Sequence, residues 1–354
     1  MKPKIYINGL ASISAQVEEA VFNGNAKEYH QNIIPAIEPF YKDFIPVISL
    51  RRMSKAVKMG LTAAKMALKE AGDPQPDAIL TGTGQGNKQD TERFLEDILE
   101  QKEELVAPTA FIQSTHNTVG GQIGLNLKNK SYNTTYSHTS SSLEAAFIDA
   151  LLLYDEKSAI NVLVGGVDDI SEKITSFQYL DSQIKNREIC NLDLFHTSSP
   201  GTIISEGAHF FCLSSQKESS SYSRLLDVLI FNAGNAEDVS DEILRFLKNS
   251  DIDIGELDVV ILGKNGDSRF DHFYEHLQEN IFAQKQQLGY KHLSGDYNTS
   301  SGYAIWLGCK ILKDGFIPEI LKLNNMAAVS NPANILIYNQ YLGVNHSIIL
   351  LGSP

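Results

Sequence analysis

The sequence predicts a layered α/β fold, in which helices cover both faces of the sheet. Apolar runs rich in β-branched residues alternate with patterns of helical period, and this alternation occurs in two successive parts of the chain. A polar, serine-rich stretch, residues 214–223, lies between the two parts. Strands that alternate with helices are typical of sheets that are buried on both faces. We therefore expect two related α/β halves, residues 1–216 and residues 217–354.

The first half contains the clearest individual elements. Residues 4–8 alternate as a strand does, the apolar spacing of residues 54–71 predicts a helix, and residues 77–83 predict a buried strand. We assign residues 108–114 to a loop and residues 172–200 to a long irregular stretch. The second half predicts strands at 225–231, 257–263, 335–338 and 347–351, and helices at 239–248, 271–282 and 301–312.

Composition restricts the possible functions. The 354 residues carry a formal net charge of −13, which argues against a nucleic-acid binder because phosphates require a basic face. No apolar run approaches the roughly 20 residues that span a bilayer. The first strand begins too close to residue 1 to leave room for a signal peptide. We therefore expect a cytoplasmic protein.

Neither a metal ion nor a nucleotide cofactor is predicted. The three cysteines, Cys190, Cys212 and Cys309, lack the spacing of metal ligands. The glycine-rich turn at residues 82–86 resembles a phosphate-binding loop only in composition. It lacks both the GxGxxG spacing and a Lys-Ser/Thr ending. We therefore expect no cofactor.

The segment 133–146 has the pattern of a catalytic elbow. The β-branched residues 134–136 predict a strand, the hydroxyl residues from Thr139 to Ser142 can cap a helix, and an apolar helix follows. Many acyl-transfer enzymes expose a serine or cysteine nucleophile at such a turn. Here the turn carries His138 beside Thr139, and no cysteine is near. The elbow is therefore either an unusual active site or an inactive one.

Taken in order, several segments resemble the β-ketoacyl-acyl-carrier-protein synthase branch of the thiolase fold. The matching landmarks are Ile5–Gly9, Arg51–Met53, Gly82–Gly84, Asn117–Gly121, Val164–Gly166 and Ser205–Ala208. Each match alone is weak, but the ordered set extends over nearly the whole chain. The resemblance implies a thiolase-like fold, in which two related βαβ halves form an α-β-α-β-α layered architecture.

The same resemblance locates three catalytic positions, and all three differ in this chain. The family uses a cysteine at the elbow and two histidines that hydrogen-bond the thioester carbonyl and stabilise the enolate. The matching positions are Thr139 for the cysteine, Gly263 for the first histidine and Asp296 for the second. A threonine hydroxyl is a poor nucleophile without a base, Gly263 offers no donor, and Asp296 would repel an enolate. We expect no condensation by this chain alone.

Further family positions are retained or altered. Lys291 and Glu206 match residues that support the active site, and we expect them in an internal ion pair or polar network. The closing gate has lost flexible glycines around Tyr341, which predicts a less mobile gate. The remaining candidates for shaping a pocket are His116, His138, Phe111 and Tyr136. Each of these also has a plain alternative as a surface or core residue.

Three functions remain open at this point. The resemblance implies a non-catalytic, chain-length-factor-type subunit that pairs with an active synthase in fatty-acid, polyketide or aryl-polyene-type biosynthesis. An alternative is an acyltransferase or hydrolase that uses Thr139 or Ser140, with His116 or His138 as its base. The third is a homodimeric scaffold that holds an acyl chain or an acyl carrier protein. Since the chain is acidic, a similarly acidic carrier would dock through the partner subunit or a local basic patch.

Overall fold

The computed structural model describes residues 3–101, 108–327 and 329–354. Its strands are β1 (Ile5–Ile13), β2 (Ile33–Ile34), β3 (Ala78–Gly82), β4 (Tyr132–Tyr136), β5 (Asn161–Asp168), β6 (Ile204–Ser205), β7 (Gly207–Ser214), β8 (Ser223–Asn232), β9 (Val259–Leu262), β10 (Gln286–Gly289), β11 (Asn334–Tyr341) and β12 (Asn345–Gly352). Its α-helices are α1 (Glu18–Phe22), α2 (Val47–Leu50), α3 (Lys55–Glu70), α4 (Lys88–Glu100), α5 (Pro108–Ser114), α6 (Thr118–Leu127), α7 (Ser142–Asp155), α8 (Glu172–Leu180), α9 (Ala236–Asn249), α10 (Asp271–Glu279), α11 (Lys291–Ser294) and α12 (Ser301–Asp314).

Two halves of the same strand order share one continuous sheet. In the described part of the chain the order is β10-β9-β11-β12-β8-β1-β7-β5-β3-β4, and the short β2 and β6 pair separately. The two halves meet at the centre, where β1 pairs with β8 in antiparallel fashion. Outward from that pair, each half follows its first strand with its fifth, fourth, second and third. The expected pair of related halves is therefore present, while the boundary after residue 216 stays a prediction.

Among the described residues, alternating side chains along the strands separate three large hydrophobic cores, and a smaller fourth cluster contains Ile34 and Leu194. In β9, Val259 and Ile261 face the core shared by both halves, whereas Val260 and Leu262 face an outer core. Helices α7 and α12 fill the shared core. One outer core contains α3 and α6, and the other contains α9 and α10. This arrangement confirms the α/β class and the predicted α-β-α-β-α layering.

Two local predictions are wrong. Residues 108–114 form helix α5 rather than a loop, and because the helix buries none of its side chains, its sequence shows no helical apolar pattern. Residues 172–180 within the supposed irregular stretch form helix α8, which buries only Thr175 and therefore lacks a strong amphipathic pattern. The helix predicted at 54–71 is confirmed as α3, with the Ser54 hydroxyl accepting from the Val57 N–H.

No helix among the described residues is long and apolar enough to span a membrane.

Candidate functional site

The elbow has a strained backbone at Thr139. Strand β4 ends at Tyr136, a 3-10 turn covers residues 139–141, and α7 begins at Ser142. Thr139 has a φ of +48°, a conformation that β-branched residues seldom adopt. The Ser142 hydroxyl stabilises this turn, because it accepts from the His138 N–H at 2.8 Å and donates to the Thr139 carbonyl at 2.6 Å. The chain thus keeps the sharp turn that a nucleophile would need.

The side chain at the tip of this elbow lacks the means of activation. Thr139 and His138 are both exposed. Among the described residues, no base accepts a hydrogen bond from the Thr139 hydroxyl, so nothing in this arrangement would remove its proton. Ser140, one residue further on, is half-buried and lines the cavity described below.

Gly263, which follows β9, has no space for a side chain. A Cβ atom placed there would overlap Oδ1 of Asn339, which lies on the neighbouring strand β11. The same Oδ1 accepts a hydrogen bond of 2.6 Å from the Tyr290 hydroxyl, which holds the amide in place. A histidine at position 263 would therefore require Asn339 to move. A side chain from the adjacent strand thus occupies the space beside Gly263.

Asp296 is held in an ion pair beside the cavity. Its Oδ1 lies 2.8 Å from Nζ of Lys291, and its Oδ2 accepts from the Asn265 amide at 2.8 Å. The pair is largely buried, with side-chain exposures of 5% for Lys291 and 20% for Asp296. Because Asp296 neutralises the lysine, the pair presents little net charge to a developing enolate.

A buried carboxyl group that the sequence reasoning missed lies near this ion pair. Glu144, on α7, is fully buried, and its Oε1 accepts from the Ser347 hydroxyl at 3.1 Å. Its Oε2 has no hydrogen-bond partner in the described structure. Burial raises the pKa of Glu144, which favours the protonated, uncharged form. The available signal was an acidic residue in the first turn of the largely apolar helix α7.

These groups line one cavity of about 460 Å³. Its walls bring together Ser140, Glu144, Lys291, Asp296, Asn339 and Tyr341 from both halves of the chain. The cavity volume lies within the range of small-molecule pockets, roughly 300–1,000 Å³. The lining combines hydroxyl, amide and carboxyl groups with a paired lysine, so it suits a ligand that carries polar atoms.

The sequence matches the family model described as the N-terminal domain of β-ketoacyl synthases over residues 26–220, more than half of the chain. The chain belongs to the β-ketoacyl synthase family. No protein of curated function matches it. The fold agrees with solved synthases, including the ishigamide ketosynthase/chain length factor, at 17% identity and a TM-score of 0.85 with both chains fully covered.

Two further solved structures have the same fold. A β-ketoacyl synthase from Burkholderia phymatum STM815 aligns with a TM-score of 0.84 at 14% identity, covering 99% of this chain and 100% of its own. The ketosynthase ApeO in complex with its chain length factor ApeC, from Xenorhabdus doucetiae, aligns with a TM-score of 0.78 at 16% identity. The alignment covers 99% of this chain and 98% of that chain. These likenesses establish the thiolase-like fold of this β-ketoacyl synthase family member.

Other positions singled out from the sequence lie outside this cavity. Glu206 is buried and pairs with Lys55 rather than with Lys291, and it also accepts from the backbone N–H groups of Ala36 and Ile170. Glu206 and Lys291 thus belong to separate ion pairs.

The remaining pocket candidates do not line this cavity. His116 is exposed and would touch a side chain placed at Gly86, and Phe111 is exposed with its ring 5.5 Å from that of Phe94. The Tyr136 hydroxyl donates to Asp149 of α7 at 2.8 Å, and burial together with that carboxylate raises the pKa of Tyr136. Of the candidate side chains identified from the sequence, Ser140, Lys291, Asp296 and Tyr341 line the cavity.

Proposed function

We propose that this chain is a non-catalytic β-ketoacyl synthase homologue, of the chain-length-factor type, that pairs with a catalytic synthase. The observation that carries the proposal is the combined state of the three family catalytic positions. Thr139 has no base, Gly263 is blocked by Asn339, and Asp296 is neutralised by Lys291. Restoring one residue would leave the other two unsuited to the reaction.

An open sheet edge supports pairing with another chain. Strand β4 is the last strand of the sheet, and in the described structure it pairs with β3 on one side only. Helices α6 and α7 flank it. Large apolar side chains on these elements are exposed, namely Leu125 at 73%, Tyr132 at 48% and Leu152 at 56%. We call these three residues the β4-edge patch; an unpaired edge with exposed apolar neighbours is a typical partner surface.

The names of the solved relatives favour the same assignment. ApeO is a ketosynthase in complex with its chain length factor, and AntDE:AntF is a type II acyl-carrier protein in complex with its ketosynthase, with a TM-score of 0.80 at 13% identity and full coverage of both chains. For this chain we propose a synthase partner, with the acyl carrier protein docked mainly through that partner. The net charge of −13 supports this division, because an acidic carrier would be repelled by most of this surface.

The pairing is tested by co-expressing this chain with a β-ketoacyl synthase that carries the complete Cys-His-His set and is encoded beside it. We expect a stable one-to-one complex by native mass spectrometry. Tyr132→Asp places a charge on the β4 edge and should abolish the complex. Leu244→Asp, on the outer helix α9 and 40% exposed in the wild type, is the matched control and should leave it intact.

The non-catalytic role is tested in the same reconstituted pair. Substitution of the partner's catalytic cysteine should abolish condensation, whereas Thr139→Ala together with Ser140→Ala in this chain should leave the rate unchanged. A covalent acyl adduct on Thr139 or Ser140, detected by intact mass, would favour the acyltransferase alternative instead. A tight homodimer that binds no synthase would favour the scaffold alternative and reject the heterodimer.

A further inference from the structure

Three side chains of metal-ligating type meet outside the cavity lining. Glu28, His30 and Cys190 each offer one ligand atom, and these atoms all lie within 4.8 Å of one another. Nε2 of His30 lies 3.9 Å from Oε2 of Glu28. Glu28 and His30 are exposed, and Cys190 is half-buried. The group is separate from the positions on which the proposed pairing function depends.

The backbone holds the two contributing segments together directly beside the three ligands. The Tyr29 N–H donates to Oδ1 of Asn191 at 2.7 Å, and the Asn191 N–H donates to the Tyr29 carbonyl at 3.0 Å. Tyr29 lies between Glu28 and His30, and Asn191 follows Cys190. Tyr29 is itself anchored, because its ring is buried and its hydroxyl donates to the Ala15 carbonyl at 2.7 Å. The Cα positions of the three ligands are therefore fixed before any ion arrives.

Further hydrogen bonds extend this connection on both sides. The Asn32 amide donates to the carbonyls of Lys185 and Arg187, at 2.7 and 2.8 Å. The Asn191 amide donates to the His292 carbonyl at 2.6 Å. These contacts join residues 27–34 to residues 184–196, and join the latter to α11. A site that is held by such a frame loses little backbone conformational entropy when it binds an ion.

The donor set fits a borderline-soft divalent ion. A thiolate, an imidazole and a carboxylate are the three ligand types that Zn²⁺ takes in proteins, at about 2.3, 2.0 and 2.0–2.2 Å. Those bond lengths require ligand atoms on the order of 3.3–3.8 Å apart, so the side chains must close slightly. Exposed Glu28 and His30 are free to rotate for this. Two anionic ligands and one neutral ligand would balance the charge of the ion.

We propose that Glu28, His30 and Cys190 form a Zn²⁺ site, with water in the fourth position. Binding releases the thiol proton of Cys190, because the thiolate is the ligand. Without an ion, the exposed Glu28–His30 pair would contribute little to stability. With the ion, the site cross-links two segments that are remote in sequence, and the folded state becomes more stable as the free Zn²⁺ concentration rises above the Kd of the site.

The test uses the purified full chain, stripped with a chelator and titrated with Zn²⁺ at neutral pH. We expect one Zn²⁺ per chain and a rise in Tm on binding. Titration with Co²⁺ should give a thiolate-to-metal charge-transfer band. Cys190→Ser should remove the band, and Cys190→Ser, His30→Ala and Glu28→Gln should each weaken binding by about tenfold or more. His272→Ala, at an exposed histidine outside the group, is the control and should change nothing.

Distinct outcomes would overturn the site. Unchanged Zn²⁺ affinity in Cys190→Ser, or a Co²⁺ spectrum without the thiolate band, would show that the cysteine is not a ligand. Several equivalent weak ions per chain would indicate nonspecific binding to surface carboxylates. The metal-free variants should retain the wild-type circular dichroism spectrum, so a loss of binding would not be mistaken for unfolding. Because the assay uses this chain alone, its result does not depend on the proposed heterodimer.

Discussion

The third strands of the two halves, β4 and β10, occupy equivalent positions in one topology but have opposite surroundings. All four residues of β10 are buried, and the outer edge is covered by a following segment, in which the Leu323 N–H donates to the Gln287 carbonyl. Strand β4 is exposed or half-buried throughout. The same fold element is thus closed inside the chain in one half and left open in the other. An edge that is covered in cis contributes to the chain's own stability, whereas an open edge is available to a partner.

The two halves also differ just after their strands end, where one position is packed against neighbours and the other is exposed. In the second half, Gly263 is packed against Asn339 and Tyr290. In the first half, Thr139 stands exposed at a strained turn. Asn339 thus occupies the space beside Gly263 in the second half, while the elbow of the first half has an exposed side chain on a sharp turn. This difference is what the proposed non-catalytic role would require.

The largest expected effect is a difference in stability between substitutions in strand β10 and in strand β4. Leu288→Ala in β10 removes a fully buried side chain and should lower the free energy of unfolding by about 2–5 kcal/mol. Tyr132→Ala in β4 should change it by no more than about 0.5 kcal/mol in the isolated chain, because this side chain is exposed. Urea unfolding measures both. Equal losses would contradict the contrast, since they would mean that β4 is as tightly packed as β10.

A smaller effect on stability is expected at Gly263, where Asn339 occupies the space of a side chain. Gly263→Ala forces Asn339 to move and should cost about 1–3 kcal/mol of stability. Asn339→Ala in the same chain should recover part of that loss, giving a coupling energy above about 0.5 kcal/mol in a double-mutant cycle. Gly121→Ala, in α6 of the first half, meets no atom within 4 Å and serves as the control. Gly121→Ala should be neutral or stabilising. If the losses at positions 263 and 339 simply add, then Asn339 does not restrict the space at Gly263.

The smallest expected effect concerns the elbow. Thr139→Gly should give a protein more stable than Thr139→Ala by about 1 kcal/mol, because only glycine adopts a φ near +48° without strain. The two variants remove the same hydroxyl group, so their difference isolates the backbone term. Thermal unfolding of the isolated chain measures it. An alanine variant as stable as the glycine variant would mean that the turn relaxes and that no strain is stored there.

Local patterns predicted much of the fold and the location of the elbow. The strand and helix periodicities of α3, β3 and β9 depend on neighbouring residues, and such signals survive in a single sequence. The helices α5 and α8 were missed because each buries too few side chains to show a helical pattern. At the site, motif comparison pointed to Thr139, Gly263 and Asp296, and their assignment to the family's catalytic positions stays a prediction. Glu144 was missed because an acidic residue within an apolar helix belongs to no motif.

By itself, the sequence determined the layered α/β class with its two related halves, and it predicted that three family catalytic residues are replaced. Those properties are encoded in short periods and ordered motifs. Only the tertiary structure decided that Asn339 fills the space at Gly263, that Lys291 pairs with Asp296, and that β4 stays open while β10 is covered. It also brought Cys190 to His30. The physical reason is that these contacts join residues distant in sequence, and packing of the whole chain selects them.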